Sequence, residues 1–149
     1  MELITGIRPM NAGDIETVGL LDRVCFSESW SENLLRSGID SRLDTYFVYV
    51  DHGQILGYCV LRVLADEGEI QRIAVHPQSR RQGIARKLMD AMVAFSRMRS
   101  VRSIALEVRE SNEGARKLYD SYGFSQEAIR RGYYHNPTED AVIMWNRQI

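Results

Sequence analysis

The sequence predicts a mixed α/β (α+β) domain in which amphipathic helices cover one β-sheet. Two patterns alternate along the chain: short β-branched runs bounded by turn residues, and longer segments whose apolar residues recur every three to four positions. The change is sharpest at residues 71–88, where the apolar run Ile73–Val75 stops at Pro77 and a helical pattern begins after Gly83. A chain of 149 residues can bury a sizeable core, so we expect one domain over residues 1–149.

The N-terminal part predicts a strand and two helices. Leu3–Arg8 is a short apolar strand that ends at a proline. Asn11 or Asp14 can cap the first helix, because both side chains accept backbone N–H groups. This helix ends near Phe26, and Ser31 opens a second, shorter helix. The apolar face of the first helix consists of Ile15, Val18, Leu21 and Cys25.

A hairpin and an irregular strand come next. Tyr46–Val50 and Gln54–Leu64 are strands joined by Asp-His-Gly at residues 51–53, a tight-turn signal. Gln54–Leu64 carries apolar residues at both odd and even positions, so both of its faces should be buried and it should lie centrally in the sheet. In Glu69–Val75 the apolar residues switch from an even position, Ile70, to odd positions, Ile73 and Val75, which predicts a β-bulge. The bulge either exposes backbone groups to an extended amide-containing ligand or only bends the sheet.

The helix that begins after Gly83 carries an anion-binding signal. Backbone N–H groups without partners and a partial positive charge lie at the start of any helix, where a phosphate binds favourably. Gly83 has no Cβ that would hold a diphosphate away from the backbone. Four cations lie at this end: Arg80, Arg81, Arg86 and Lys87. Cations are normally favoured at the opposite end of a helix, so the segment is either an anion site or a solvated basic loop.

The next two predicted elements are a strand and a helix. Glu107 interrupts the apolar strand Ser103–Val108, so its carboxylate lies either on the solvent side or in a cleft. Asn112 is a good N-cap for the following helix, which Gly123 closes. One face of that helix is aromatic and apolar: Ala115, Leu118, Tyr119 and Tyr122. From this spacing alone, Tyr119 is an ordinary core aromatic.

Two strands end the chain, one from Phe124 onward and one at Ala141–Trp145. The segment between them, residues 130–140, is rich in aromatic and turn residues, which predicts a connecting loop. Tyr133 and Tyr134 lie in this segment. Their rings either cover a sheet edge or contact a ligand.

Composition and charge narrow the function classes. Nineteen basic and twenty acidic residues give a net charge of -1, which disfavours a general nucleic-acid binder, although the basic loop keeps a nucleic-acid module as an alternative. We expect a cytoplasmic protein that does not bind membranes, because the apolar runs are short and the N-terminus lacks a signal-peptide pattern. Cys25 and Cys59 fit apolar patterns as buried thiols, and the three histidines lack ligand spacing, so no metal site is expected.

Several motifs resemble those of the GNAT N-acetyltransferases. Arg80-x-x-Gly83-x-Ala85 is similar to the acyl-CoA pyrophosphate loop of that family. Motifs further on resemble the RimI branch, the bacterial ribosomal-protein-alanine N-acetyltransferases: Leu-Glu-Val-Arg-Glu-Ser-Asn at 106–112, Ala115-x-x-Leu118-Tyr119, Tyr-Gly-Phe at 122–124, Arg-Arg-x-Tyr-Tyr at 130–134 and Glu-Asp-Ala-Val-Ile-Met at 139–144. The resemblance implies the GNAT fold, a mixed, mostly antiparallel seven-stranded sheet flanked by about four helices, whose central strands splay apart to admit the cofactor.

The resemblance implies acetyl transfer from acetyl-CoA to an amine, without a metal. Glu107 would be the general base and Tyr119 the general acid. A carboxylate base suits an α-amino group, whose pKa is about 8, better than a lysine side chain, whose pKa is about 10.4. A phenol with a pKa of about 10 can protonate a thiolate whose pKa is about 8.5 at little cost. The residues that would bind the cofactor are Ile73, Ala74, Val75, Arg80, Arg81, Gln82, Gly83, Ile84, Ala85, Arg86 and Asn112, although Asn112 can also simply cap its helix.

For the acceptor, the resemblance implies the N-terminal amine of a protein, first of all the N-terminal alanine of small-subunit ribosomal protein eighteen. Tyr133 and Tyr134 would form one wall of a peptide groove and Trp30 the opposite border. A core role for Trp30, just ahead of its helix, fits equally well. A small-molecule amine or a protein lysine is the alternative acceptor, and a CoA-binding regulatory domain without turnover is the alternative to an enzyme.

Overall fold

The computed structural model describes residues 5–149, and in this part of the chain seven strands form one sheet and four helices pack on it. The strands are β1 (Gly6–Pro9), β2 (Asp44–Asp51), β3 (Gln54–Leu64), β4 (Glu67–Val75), β5 (Ser103–Arg109), β6 (Ser125–Tyr134) and β7 (Glu139–Asn146). The helices are α1 (Ile15–Cys25), α2 (Glu32–Ile39), α3 (Ile84–Met98) and α4 (Glu113–Ser121). The predicted fold class is confirmed. The predicted first strand also included residues 3 and 4, which lie outside the described residues.

The sheet opens at its centre. Its strand order is β1-β2-β3-β4-β5-β7-β6, and every neighbouring pair is antiparallel except β4 and β5, which run parallel. The pairing of β4 with β5 covers only Glu67–Ile70 and Ser103–Leu106. Past these residues β4 stays with β3 and β5 stays with β7, so the two central strands diverge. This is the splay that the resemblance implied, and it leaves a cleft between the ends of β4 and β5.

A β-bulge lies in β4 at the point of divergence. Val60 pairs with Arg72, whereas the next residue of β3, Leu61, pairs with Ile70. Gln71 is therefore an extra residue in β4, and the bulge predicted from the parity change is confirmed. Because paired residues project from the same face of a sheet, the bulge brings the side chain of Arg72 to the face that carries Val60.

Within residues 5–149, two helices pack on each face of the sheet. On one face, here called the front face, α1 and α2 pack around a core that includes Val18, Leu35 and Val60. On the back face, α3 and α4 pack around a core that includes Leu88 and Leu106. On the front face, α1 lies over β3 and β4 and α2 lies over β2. The front face of β5, beside the cleft, therefore stays accessible to a ligand.

Capping residues decide where the helices begin. Ser31 Oγ accepts the N–H of Leu34 at 3.1 Å at the start of α2. Asn112 Oδ1 accepts the N–H of Ala115 at 3.2 Å at the start of α4. Of the two caps predicted before α1, Asn11 is the one whose side chain acts, and it caps a 3-10 turn that leads into the helix. The predicted beginnings of these helices are confirmed.

The segment between the last two strands differs from its prediction as a loop. β6 continues through Tyr134, and only residues 135–138 form the turn to β7. The register with β7 shifts between Arg130 and Tyr134, which marks a bulge. In the bulge, the N–H of Gly132 has no partner in the β-ladder. It donates instead to the carboxylate of Asp140 at 2.8 Å. In the sequence Gly132 reads as a turn residue, and only the partner strand shows that it lies in a bulge.

Candidate active site

A cavity of about 670 Å³ lies where β4 and β5 diverge. Its walls come from the end of α1 and the α1–α2 loop (residues 26–31), the middle of β4, the end of β5, α4 and the end of β6. Residues from all three predicted groups line it together: Trp30, Ile73, Glu107, Asn112, Tyr119, Tyr133 and Tyr134. The fold therefore brings the two predicted catalytic residues and the predicted acceptor residues, which are distant in the sequence, to one place.

Glu107 lies on β5, immediately beyond the last residue that pairs with β4. Its side chain is 25% exposed, and its Oε1 lies 3.5 Å from Nε of Arg130 on β6. The charge of Glu107 is the largest cause of the raised pKa of Tyr133, followed by partial burial. This carboxylate is accessible from the cavity and can accept a proton from a group that binds there.

Tyr119 projects from α4 into the wall of the cavity and is only 4% exposed. Its ring packs against Phe124, with the ring centroids 6.2 Å apart. Burial, with a smaller contribution from Tyr134, raises the pKa of Tyr119, so the phenol stays protonated at neutral pH. Proton transfer to a thiolate with a pKa of about 8.5 is then less favourable than from an exposed phenol. The same desolvation raises the pKa of a thiol bound in the cavity, which reduces this difference.

Asn112 both caps α4 and lines the cavity. Its side-chain oxygen is engaged with the N–H of Ala115. The side-chain NH₂ group is a donor that a carboxamide carries in addition to that oxygen. The two roles considered for Asn112 are therefore compatible, because capping uses the oxygen and a ligand carbonyl would use the nitrogen.

The end of β4 presents a backbone edge to the cleft. The N–H of His76 donates to the carbonyl of Leu56 in β3 at 2.8 Å. Along an antiparallel strand, successive residues direct their backbone N–H and C=O groups to opposite sides. Ile73 and Val75 therefore direct these groups away from β3, towards the cleft. The carbonyl of Val75 accepts Nε of Arg80 at 3.3 Å. Ala74 directs its backbone groups to β3 and buries its side chain in the front core, so it offers no edge group. An extended amide can pair with this edge at Ile73.

Residues 80–86 comprise the end of the β4–α3 connection and the first residues of α3, and they lie outside the cavity wall. The N–H of Lys87 donates to the carbonyl of Gly83 at 3.2 Å. The N–H groups of residues 84–86 precede it in the first turn of α3, where backbone N–H groups have no acceptor within the helix. Gly83 has a φ of +79°. The side chain of Ile84 is buried in the back core, so only its backbone N–H can contact a ligand. With exposed arginine side chains around it, this helix start fits a diphosphate.

We predict that Gly83→Val raises the Kd for acetyl-CoA about tenfold or more. A β-branched residue rarely adopts this positive φ, and its side chain would stand in front of the N–H groups. Calorimetric titration with acetyl-CoA measures the change. Gly132→Val is the matched control, because Gly132 also has a positive φ, +60°, and open space around it, but lies in β6. Equal Kd values for the wild type and Gly83→Val would remove this segment from the cofactor site.

The α1–α2 loop and the β6–β7 turn meet at the mouth of the cavity. The N–H of His135 donates to Oε1 of Glu28 at 3.0 Å. Arg109 holds the same turn by donating to the carbonyls of His135 and Pro137, both at 2.9 Å. Its guanidinium also lies 4.5 Å from the centroid of the Tyr134 ring. These contacts narrow the entrance, which favours a slender, extended chain.

The predicted acceptor residues lie on opposite walls. Tyr133 and Tyr134 pack edge to face, with ring centroids 5.1 Å apart. Burial, and to a lesser degree the charge of Glu107, raises the pKa of Tyr134 to about 12. Trp30, on the α1–α2 loop, lines the cavity and also packs against the front core. Both interpretations of Trp30 are therefore compatible with the structure.

Sequence reasoning did not single out several residues of this site. Arg72 lines the cavity and pairs with Asp22, which lies four residues after Val18 on the otherwise apolar face of α1. A carboxylate on an apolar helix face was a signal that could have revealed this pair. The other residues of the cavity wall carried no comparable signal, because they alternate with apolar neighbours or lie in loops: Ser27, Glu28, Glu69, Arg109 and His135.

The structure also bears on thiols, metals and membranes. Cys25 and Cys59 are free, and Cys59 is fully buried whereas Cys25 is only partly buried. Among residues 5–149, no three His, Cys, Asp or Glu side chains come together in a group that could hold a metal ion. Within the described part of the chain, every helix is too short or too polar to cross a membrane.

Known proteins are similar to this chain in sequence and fold. The model of the acetyltransferase (GNAT) family matches residues 15–124. The [ribosomal protein bS18]-alanine N-acetyltransferase of Escherichia coli (strain K12) is 33% identical over 142 residues, which cover 93% of this chain and 94% of that protein. The crystal structure of the Escherichia coli ribosomal-protein-S18-alanine N-acetyltransferase has a TM-score of 0.89 and 30% identity, and covers 98% of this chain and 96% of that chain. Arabidopsis thaliana NAA60 in complex with acetyl-CoA, at 20% identity, has the same fold, with a TM-score of 0.87 over 96% of this chain and 98% of that chain.

Proposed function

Because this chain belongs to the GNAT family and is an N-acetyltransferase that uses acetyl-CoA, we propose that its acceptor is the N-terminal α-amino group of a protein. The proposed protein is ribosomal protein bS18, which stands in the name of the Escherichia coli relative, and the proposed site is its N-terminal alanine. Glu107 is the proposed general base and Tyr119 the proposed general acid.

The observation that carries this proposal is that Glu107 and Tyr119 line one cavity at the open edge of β4. A diphosphate at the start of α3 and an amide paired with Ile73 would direct the thioester of acetyl-CoA to that cavity. Glu107 would accept a proton from the acceptor ammonium, and Tyr119 would donate one to the departing thiolate. As the amide bond forms and the thioester bond breaks, the acceptor nitrogen loses a second proton to solvent. Glu107 then releases its proton to solvent and Tyr119 takes one back, so each turnover releases one proton overall.

Two features of the site support an α-amine as the acceptor. An α-amino group has a pKa of about 8, so a single carboxylate has little deprotonation to do near neutral pH. The hydrogen bond between Glu28 and His135 closes one side of the cavity mouth, and the narrowed opening suits the end of an extended chain. A small first side chain would fit beside the rings of Tyr133 and Tyr134, since a pocket discriminates by the space it leaves next to the reacting atoms.

We predict that a peptide beginning with alanine is acetylated with a kcat/KM about tenfold or more above that of the same peptide beginning with a bulky residue. The experiment uses acetyl-CoA and short peptides that carry the N-terminal sequence of bS18 and differ only in their first residue. A peptide with a blocked α-amine and an internal lysine is the matched control. Mass spectrometry locates the acetyl group.

Different results would point to different acceptors. Equal rates on small and bulky first residues, or labelling of the internal lysine in the blocked peptide, would contradict the proposed acceptor. Preferential acetylation of free amines in a parallel set of small molecules would do the same. Neither result would contradict the acetyltransferase activity itself, because acetyl-CoA would still be consumed.

We also propose that residues 1–149 form a single N-acetyltransferase domain and that the protein acts in the cytoplasm. The first proposal is supported by one sheet that joins strands from β1 to β7. The second is supported by a ribosomal acceptor and by the free thiols of Cys25 and Cys59, since cytosolic thiols are kept reduced.

A further inference from the structure

A buried ion pair joins α1 to the bulge of β4. Asp22 is 0% exposed, and its carboxylate accepts two hydrogen bonds from Arg72, from Nε at 3.2 Å and from Nη2 at 3.0 Å. The hydroxyl of Tyr58 and the backbone N–H of Trp30 also donate to it, both at 2.6 Å. Four donors therefore surround this carboxylate, as the burial of a charge requires.

Arg72 also contacts the α1–α2 loop directly. Its Nη2 donates to the carbonyl of Glu28 at 2.8 Å. Its guanidinium lies over two rings of the loop, 3.9 Å from the centroid of Phe26 and 4.6 Å from that of Trp30. One arginine thus holds three residues of the loop that borders the proposed acceptor groove.

Arg72 reaches this loop because of the bulge. If the register ran on from Ile70 without a bulge, Gln71 would pair with Val60 and Arg72 with Cys59, and Arg72 would project from the back face. The end of α1 contacts the same strand a second time, because Sγ of Cys25 donates to the carbonyl of Val75 at 3.4 Å. The strand whose edge faces acetyl-CoA therefore also fixes the position of the loop beside the acceptor.

We propose that Arg72 is a positioning residue for the acceptor, which acts through Asp22 and the α1–α2 loop and sets acceptor affinity without taking part in the chemistry. This inference rests on the proposed function, because it takes the acceptor to bind between that loop and the β6–β7 turn. Its physical reason is preorganisation: a wall that is already ordered loses less conformational entropy when a peptide binds against it.

Arg72→Lys tests the proposal. Lysine keeps a positive charge beside the buried carboxylate of Asp22, which protects the fold, but it lacks the planar fork that reaches Asp22 and Glu28 at once and stacks on the rings. We expect the KM for an alanine-initiated peptide to rise about tenfold, with kcat and the KM for acetyl-CoA within about twofold of wild type.

The matched control is Arg62→Lys. Arg62 makes the same two-point contact with a carboxylate on the front face, donating to Asp44 at 2.8 Å and 3.2 Å, but it lies away from the cavity. Its replacement removes an equivalent fork without touching the α1–α2 loop. We expect the peptide KM of this variant to equal that of wild type.

The amide hydrogen of Trp30 gives a readout that needs no acceptor. Its N–H is bonded to the buried carboxylate of Asp22, so its exchange with solvent should be slow in the wild type. We expect Arg72→Lys to accelerate this exchange about tenfold or more and Arg62→Lys to leave it unchanged. Nuclear magnetic resonance of the nitrogen-labelled protein measures the exchange at this single amide.

The results distinguish this inference from the proposed function. A wild type that does not acetylate the alanine peptide overturns the acceptor assignment, and the same KM comparison with an amine that it does acetylate then tests Arg72. A wild-type peptide KM and an unchanged Trp30 exchange rate in Arg72→Lys would overturn the role of Arg72. An equal rise in peptide KM for Arg62→Lys would also overturn it, because the effect would then be a general loss of stability.

Discussion

Replacing Glu107 with glutamine should lower kcat/KM by about 10²- to 10⁴-fold near neutral pH, the usual contribution of a general base. Glutamine keeps the shape of the side chain but cannot take a proton from the acceptor ammonium. The loss should shrink as the pH rises above about 8, because an α-amino group is then already neutral. Steady-state kinetics over a range of pH measure both effects. Glu107 lies away from the start of α3, so the Kd for acetyl-CoA should stay within about twofold.

Glu127→Gln is the matched control for this variant. Glu127 is also a carboxylate paired with an arginine on the same part of the sheet, at 2.7 Å from Arg147, but it lies outside the cavity. It should keep wild-type kinetics. If Glu107→Gln retains activity and shows the same dependence on pH as the wild type, Glu107 is not the base. Glu69, another carboxylate of the cavity wall, would then be the next residue to replace.

Tyr119→Phe should lower kcat about 10²-fold at about pH 7 and leave the fold intact. The ring still packs against Phe124, so the Tm should change little, whereas the departing thiolate loses its proton donor. Because burial raises the pKa of Tyr119, the wild type should lose no activity through ionisation of this phenol below about pH 10. The defect of the variant should shrink only above about pH 8.5, the pKa of a free thiol, because burial raises the pKa of a thiol bound in the cavity and the product needs no proton only where its thiolate is stable.

Tyr46→Phe is the control for the loss of a buried hydroxyl. Tyr46 is buried in the front core, outside the cavity, and burial is the main cause that raises its pKa to about 12. Its replacement should leave kcat unchanged. A wild-type kcat for Tyr119→Phe across neutral and mildly alkaline pH would show that Tyr119 is an ordinary core aromatic. Its helical spacing alone, without the family motifs, predicts that role.

The helices and most strands could be predicted because local interactions decide them. The start of α3 depends on Gly83 and on a change of hydrophobic period within a few residues, and both are visible in the sequence. Ser31 and Asn112 cap their helices through N–H groups only three residues away. The bulge of β4 was also predictable, since it shifts the parity of apolar residues within one strand.

The candidate site was predictable only in part. The motifs shared with acetyltransferases pointed to Glu107 and Tyr119 by resemblance, and the fold brings both to one cavity. Neither composition nor spacing could place them together, because they lie on β5 and α4 and face a cleft that exists only where β4 and β5 diverge. The same limit explains Tyr133 and Tyr134, which were predicted in a loop and lie at the end of β6.

The support of the site depends on contacts between residues that are distant in the sequence. Asp22 and Arg72 are fifty positions apart, and they meet only because the bulge turns Arg72 to the front face while α1 packs over β3 and β4. Strand pairing sets which face a side chain occupies, and a shift of one residue reverses that face. Local pattern therefore determined most of the elements and the start of α3, whereas strand register and helix packing decided which polar side chains are buried together beside the cavity.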